Sequence, residues 1–186
     1  MKRLAIAAVL FLAAFAASAT EDGQWRATVA AAFSDFEGDS TFPVDDSTIG
    51  LQIMAQYQFN SWLGAEAGYH NTGTFETDIG GSGSDTEVSF SGLSFSAIGY
   101  IPLPSAADEN IDFFVRLGYF DFDVDLTSPT LTGGTQASIG HDTGLVAGIG
   151  GSIKISEDFS IRTEYDFYDI DDSDLWTVTL GMEYRF

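Results

Sequence analysis

The chain has 186 residues, with 28 Asp+Glu against 7 Lys+Arg, 45% apolar residues and no cysteine. That length suits one domain, and a formal charge of −21 excludes nucleic acid or an anionic surface held through a basic patch. Without thiols there is no disulfide framework, no Cys-ligated metal and no cysteine nucleophile, while 16 Phe, 7 Tyr and 3 Trp supply apolar area that a disordered acidic chain lacks.

Met1, Lys2 and Arg3 make a short positive start, Leu4 to Ala16 is wholly apolar, and Ala17-Ser18-Ala19 is a small-residue cleavage pattern. This predicts a secretory signal peptide over residues 1–19, followed by one domain over 20–186. No cysteine follows the cut to carry a lipid anchor. Loss of Lys2 and Arg3 leaves 28 acidic groups against 5 basic ones, a charge of −23.

Beyond the signal no run of 18 apolar residues exists, so no helical span is expected. The apolar residues alternate instead. Trp25, Ala27, Val29, Ala31 and Phe33 share one parity against Arg26, Thr28 and Ser34. Ile49, Leu51, Ile53, Ala55, Tyr57 and Phe59 oppose Gly50, Gln52, Met54, Gln56 and Gln58; Leu63, Ala65, Ala67 and Tyr69 oppose Gly64, Glu66, Gly68 and His70. In the fourth segment, about Ser89 to Ile101, Leu93, Phe95, Ala97 and Ile101 form a face, but Ile98 and Tyr100 sit opposite, leaving the register open. Ile111, Phe113, Val115, Leu117 and Tyr119 then oppose Asp112, Phe114, Arg116 and Gly118, and Leu145, Ala147, Ile149 and Ile153 oppose Gly144, Val146, Gly148 and Gly150. In the seventh, Phe159, Ile161, Thr163, Tyr165 and Phe167 oppose Ser160, Arg162, Glu164 and Asp166; the eighth runs to the terminus.

Eight segments of about 10 to 13 residues, joined alternately by short turns and mostly longer acidic loops, fit an all-β, antiparallel, up-and-down transmembrane barrel. A soluble two-sheet sandwich also alternates. Facing argues against it: Arg26, Arg116, Arg162 and Arg185 all take the parity opposite the large apolar residues, as do Glu66, Glu164 and Glu183, with Asp112 a further candidate. A closed barrel places these as a paired charge network inside, among the small residues a narrow lumen needs. Trp25, Tyr57, Phe59, Trp62, Tyr184 and Phe186 fall near the short turns, and Phe33, Tyr69, Tyr119, Phe167 and Trp176 near the long loops, as two aromatic girdles.

The last segment is the most specific. Val178, Leu180, Met182, Tyr184 and Phe186 are apolar at every second position up to an aromatic terminus. This resembles the C-terminal strand signature that the barrel-assembly machinery reads by strand addition. With QYQFNSWLGAEAGYHNTG, FFVRLGYF, RTEYDFYDI and LGMEYRF, residues 24–186 resemble the OmpA-like and opacity-type family of small outer-membrane barrels. The resemblance implies a monomer in the outer membrane of a Gram-negative bacterium, with both termini in the periplasm. No peptidoglycan-binding domain is expected after the barrel, so cell-wall tethering is not implied.

No cofactor, metal or catalytic set is expected. An envelope-stabilising or surface-interacting barrel is the first functional reading, and a narrow porin-like channel the alternative. A lipid-modifying enzyme and a soluble lipocalin-like carrier rank lower. His141 and Thr143 share the outward parity in an arrangement similar to lipid A deacylases, but Thr stands for Ser, the flanking motif is missing and no acid is evident. His70 reads as a hydrogen-bonded residue at the lumen rim. Asp121, Asp123 and Asp125 on one strand, with Asp169, Asp171, Asp172 and Asp174 in the last loop, suit divalent cations bridging to lipopolysaccharide.

Overall fold

The computed structural model describes residues 23–37, 45–77, 86–102, 110–127, 136–170 and 173–186; the expected signal peptide lies outside them, as do Asp171 and Asp172. Eight strands follow in chain order: β1 (Gln24–Glu37), β2 (Asp45–Gln58), β3 (Leu63–Thr77), β4 (Thr86–Ile101), β5 (Ile111–Thr127), β6 (Gln136–Lys154), β7 (Phe159–Ile170) and β8 (Ser173–Arg185). Each pairs antiparallel with its neighbour, and β8 returns to β1, closing the barrel. Closure leaves no sheet edge along the body of the barrel.

Period-two alternation sets which side chains face out. Leu117 and Ile149 are each 63% exposed, Phe95 59% and Leu180 55%, a band of large apolar side chains that a two-sheet sandwich would have buried. The fourth segment's register is settled by the pairing of Leu63 with Gly99 and Phe95 with Tyr119. Leu93, Phe95 and Ile101 point outward, and Ile98 and Tyr100 point into the barrel.

Short turns close one end. Between β2 and β3 the Asn60 Oδ1 accepts the backbone N–H groups of Trp62 at 3.0 Å and Leu63 at 2.9 Å. Between β6 and β7 the Ser156 hydroxyl accepts the N–H of Phe159 at 3.1 Å. Around this end Trp25, Tyr57 and Phe59 touch in series, and Phe159, Tyr184 and Phe186 do likewise. Near the long-loop end Trp176 packs on Tyr165 and Phe167.

The strands are longer than their apolar alternation suggests, 12 to 19 residues. Past the girdle the pattern inverts: Asp121 and Asp123 face out while Phe120 and Phe122 are buried within. The β5–β6 ladder runs on to Thr127 and Gln136, and β3–β4 to Thr77 and Thr86, whereas β6–β7 ends at Val146 and Tyr168. A bulge helps fill the interior. Gly73 adopts φ +86°, a left-handed conformation open to glycine, and shifts the β3–β4 register between Asn71 and Thr74. The shift turns Phe75 inward, fully buried, although strict parity with Glu66 and His70 would send it out.

Candidate functional site

The interior is filled in two layers. In the half nearer the short turns lie the arginines and carboxylates. At the rim Arg26 Nη1 stands 3.2 Å from Glu183 Oε1, and Arg185 Nη2 stands 3.1 Å from Asp112 Oδ2, with Arg185 Nε also 3.3 Å from Glu183. Arg26 further donates to the Gln58 side chain. One layer deeper Arg162 bridges Glu66 Oε2 at 2.6 Å and Glu164 Oε1 at 3.0 Å, its guanidinium 4.6 Å from the Phe114 ring centre. Above it Arg116 pairs with Asp166 Oδ2 at 3.1 Å, stands 3.8 Å from Glu66, and donates to the hydroxyls of Ser96 at 2.9 Å and Ser94 at 2.7 Å.

All seven interior charges singled out from sequence parity therefore meet inside: Arg26, Glu66, Arg116, Arg162, Glu164, Glu183 and Arg185. Sequence reasoning missed Asp166, the direct partner of Arg116, although it shares the parity of Arg162 and Glu164. Space for its carboxylate comes from Gly148 on the paired strand, where an added Cβ would lie 2.1 Å from Asp166 Oδ1. Burial makes the pairing obligatory. An ion taken out of water without a partner loses several kcal/mol, whereas mutual attraction strengthens as the local dielectric falls.

Toward the long-loop end the interior turns apolar. Phe36, Phe75, Phe90, Phe120, Phe122 and Tyr168 belong to one apolar cluster with Leu175, Ile170 and Val146, in which Phe36, Phe75 and Phe90 make one triad of touching rings and Phe120, Phe122 and Tyr168 another. His70 joins the two layers. Its Nε2 is 2.6 Å from the Ser94 hydroxyl and its Nδ1 3.3 Å from the Tyr168 hydroxyl, so it bonds to a serine that Arg116 also holds. His70 is thus buried mid-barrel and not at the rim, because β3 continues seven residues beyond it. The plug was readable in principle. Phe120 follows Arg116 by four positions and Tyr168 follows Arg162 by six, which keeps the inward parity.

On the outer wall, past the girdle, β5 and β6 bring His141 between two carboxylates. Its Nε2 is 3.2 Å from Asp121 Oδ1 and its Nδ1 3.5 Å from Asp123 Oδ1, all three side chains exposed. The acids absent from the sequence pattern around His141-Asp142-Thr143 come from the adjacent strand, where Asp123 pairs with His141 and Asp121 with Thr143. With both ring nitrogens on carboxylates, the imidazole is not placed to take a proton from the Thr143 hydroxyl. Of the other acidic positions, the side chain of Asp174 lies outside the described ones.

A closed eight-stranded barrel with an apolar outer belt, two girdles and a charge-filled lumen defines a transmembrane β-barrel of the outer-membrane kind. Residues 4–186 match the family model of the outer membrane protein beta-barrel domain, and the chain belongs to that family. It is 28% identical over 204 residues to outer membrane protein A of Salmonella typhi, covering 100% of this chain and 56% of the relative. The chain thus spans about half the length of the curated relatives it matches. Among solved structures it is similar to Ail of Yersinia pestis in complex with the heparin analogue sucrose octasulfate, with TM-score 0.63 and 22% identity over 89% of this chain and 99% of that one. It is also similar to Neisserial surface protein A, with TM-score 0.61 and 12% identity over 87% and 97%. The protein resides in the outer membrane, its belt in lipid. The short turns then face the periplasm and the long loops the exterior.

Proposed function

We propose that the protein is a non-enzymatic envelope barrel with a structural role, whose extracellular extension binds the outer leaflet by divalent cations held between its carboxylates and lipopolysaccharide phosphates. One observation carries this reading: the β5–β6 ladder continues past the aromatic girdle and presents Asp121 and Asp123 outward at the height of the headgroups. Oxygen ligands on a paired ladder suit Ca²⁺ or Mg²⁺, and a cation is needed wherever carboxylate meets phosphate. The same acidity separates this chain from the Ail complex with a heparin analogue, since a formal charge of −21 repels a sulfated sugar.

The filled interior favours a structural part over a narrow channel. The paired charges act as a staple across β1, β3, β5, β7 and β8, and the aromatic cluster seals the end above them. Closure leaves its body no free edge onto which a second copy could add a strand, which supports a monomeric barrel. During assembly the machinery reads β8 through Val178, Leu180, Met182, Tyr184 and Phe186, which share its outward face.

The test compares the wild type with Asp121→Asn/Asp123→Asn. Chelator is expected to lower the unfolding temperature of the wild type and to strip co-purifying lipopolysaccharide, while the double variant starts depleted and responds little. Wild-type protein indifferent to chelator in both readouts would overturn the cation bridge. A stable wide conductance in planar bilayers would overturn the staple.

A further inference from the structure

The outward face that carries Asp121 and Asp123 holds a nitrogen donor as well as oxygens. The β5–β6 register sets His141 directly opposite Asp123 and one outward step from Asp121, which pairs with Thr143. His141 Nε2 stands 3.2 Å from Asp121 Oδ1, and Nδ1, on the other side of the ring, stands 3.5 Å from Asp123 Oδ1. All three side chains are exposed, so ions reach them from the medium. Among the described residues no three imidazole or carboxylate groups are placed to hold one ion together. The arrangement is a two-ligand set with a third group behind the ring.

The two ring nitrogens meet different demands. In a tetrahedral zinc-type site with bonds of about 2.0–2.1 Å, ligand atoms stand about 3.3–3.4 Å apart, and the 3.2 Å between Nε2 and Asp121 Oδ1 is close to that edge. A histidine that binds metal through one nitrogen turns its other N–H to a carboxylate or carbonyl, which fixes the tautomer and raises the basicity of the ligating nitrogen. Asp123 stands where that carboxylate is needed. A neutral imidazole has one N–H only, so with carboxylates on both sides one nitrogen turns its lone pair toward an anion. A cation seated between them removes that repulsion.

We propose that this face binds a divalent transition-metal ion of the zinc class, ligated by His141 Nε2 and the Asp121 carboxylate, with Asp123 as the positioning residue that orients the ring. Acidity favours cations of every kind, and the nitrogen chooses among them: imidazole suits Zn²⁺ and its neighbours in the first transition series, whereas Mg²⁺ and Ca²⁺ take oxygen. Two protein ligands leave the remaining positions of a tetrahedral site open, and phosphate oxygens of the outer leaflet at the same height fill them. The inference rests on the reading of this face as a cation bridge to lipopolysaccharide, and it names the metal class and the liganding atoms.

The experiment is nitrogen NMR of untagged mature protein in micelles at neutral pH, with isotope-labelled histidine, titrated with Zn²⁺ alone and with Mg²⁺ alone. The chain has two histidines, and His70, buried and bonded to Ser94 and Tyr168, is the internal control. Zn²⁺ is expected to shift the His141 Nε2 resonance, to leave Nδ1 protonated and to leave His70 unmoved, while Mg²⁺ moves neither ring. Asp123→Ala should weaken Zn²⁺ binding about 10–100-fold and, in metal-free protein, raise the share of ring protonated on Nε2. Asp123→Asn, whose amide oxygen still accepts, falls between. Asp121→Asn weakens Zn²⁺ as well, and His141→Gln abolishes the preference for Zn²⁺ over Mg²⁺. Gel mobility without boiling establishes that each variant is folded. An unmoved His141 ring, ligation through Nδ1, both ring nitrogens protonated with Zn²⁺ present, or full affinity in Asp123→Ala overturns the proposal. Chelator-dependent retention of lipopolysaccharide is measured on the same protein. Retention lost to chelator beside an unmoved ring refutes this site and leaves the bridge standing; zinc on His141 with retention indifferent to chelator supports the site and refutes the bridge.

Discussion

Replacing Arg162 by Met tests whether the interior charges hold the barrel together. The arginine bridges Glu66 at 2.6 Å and Glu164 at 3.0 Å, reaches to 3.8 Å from Glu183, and lies over Phe114. Its loss leaves two buried carboxylates facing each other with Arg116 as the remaining cation near Glu66, at 3.8 Å. Removing one partner of a buried pair destabilises by about 3–5 kcal/mol. At a typical urea slope of about 2 kcal/mol/M this lowers the midpoint by about 2 M. The assay is reversible urea unfolding in detergent micelles or lipid vesicles, followed by gel mobility without boiling. A triple variant, Arg162→Met with Glu66→Gln and Glu164→Gln, removes the orphaned charges and should recover more than half of the loss, because neutral packing replaces an ion network at little net change. A single variant within about 1 kcal/mol of wild type, near the value of an exposed pair, would refute the staple.

Phe122→Ala opens a void in the aromatic plug, where Phe122 touches Phe120, Tyr168 and His70, and should destabilise by about 3–5 kcal/mol in the same unfolding assay. Leu117→Arg places a cation on the lipid-facing wall and is expected to lower vesicle-folded stability by about 2–4 kcal/mol; on a wall facing water the change would be near zero. Gly73→Ala both strains the bulge at φ +86° and drives its Cβ to 2.5 Å from the Ile49 carbonyl oxygen, so it should destabilise by at least the backbone strain of about 1–3 kcal/mol, and Gly73→Asn, which carries the same Cβ, should not rescue it, as compared by thermal unfolding in detergent.

Strand number, facing and the membership of the charge network are legible in the sequence because one rule governs them. Along a membrane-spanning ladder the side-chain period is two, and lipid fixes which parity is apolar. The rule fails where its premise ends. Beyond the girdle water replaces lipid, so Asp121 and Asp123 turn outward and Phe120 and Phe122 inward, and a search for outward apolar residues stops at Tyr119 while the strand continues to Thr127. Phe75 is hidden for a different reason: the bulge at Gly73 shifts the β3 register and turns Phe75 to the face that parity denies it. His141 and its two carboxylates lie twenty and eighteen residues apart in sequence and meet only through the β5–β6 register, which alternation on each strand separately does not define. Asp166 needed no such information; its parity alone placed it beside Arg162.

The chain has no cysteine, so single cysteines carry nitroxide labels without background. Labels at outward Ala31, Leu117 and Leu180, and at Asp123 above the girdle, are placed in protein reconstituted into phospholipid vesicles, and their collision rates with oxygen and with a water-soluble nickel chelate are measured. High oxygen and low nickel accessibility is expected at the first three positions, with the reverse at Asp123. Nickel accessibility at Leu117 and Leu180 equal to that at Asp123 would mean that water, not hydrocarbon, covers the barrel's outer wall.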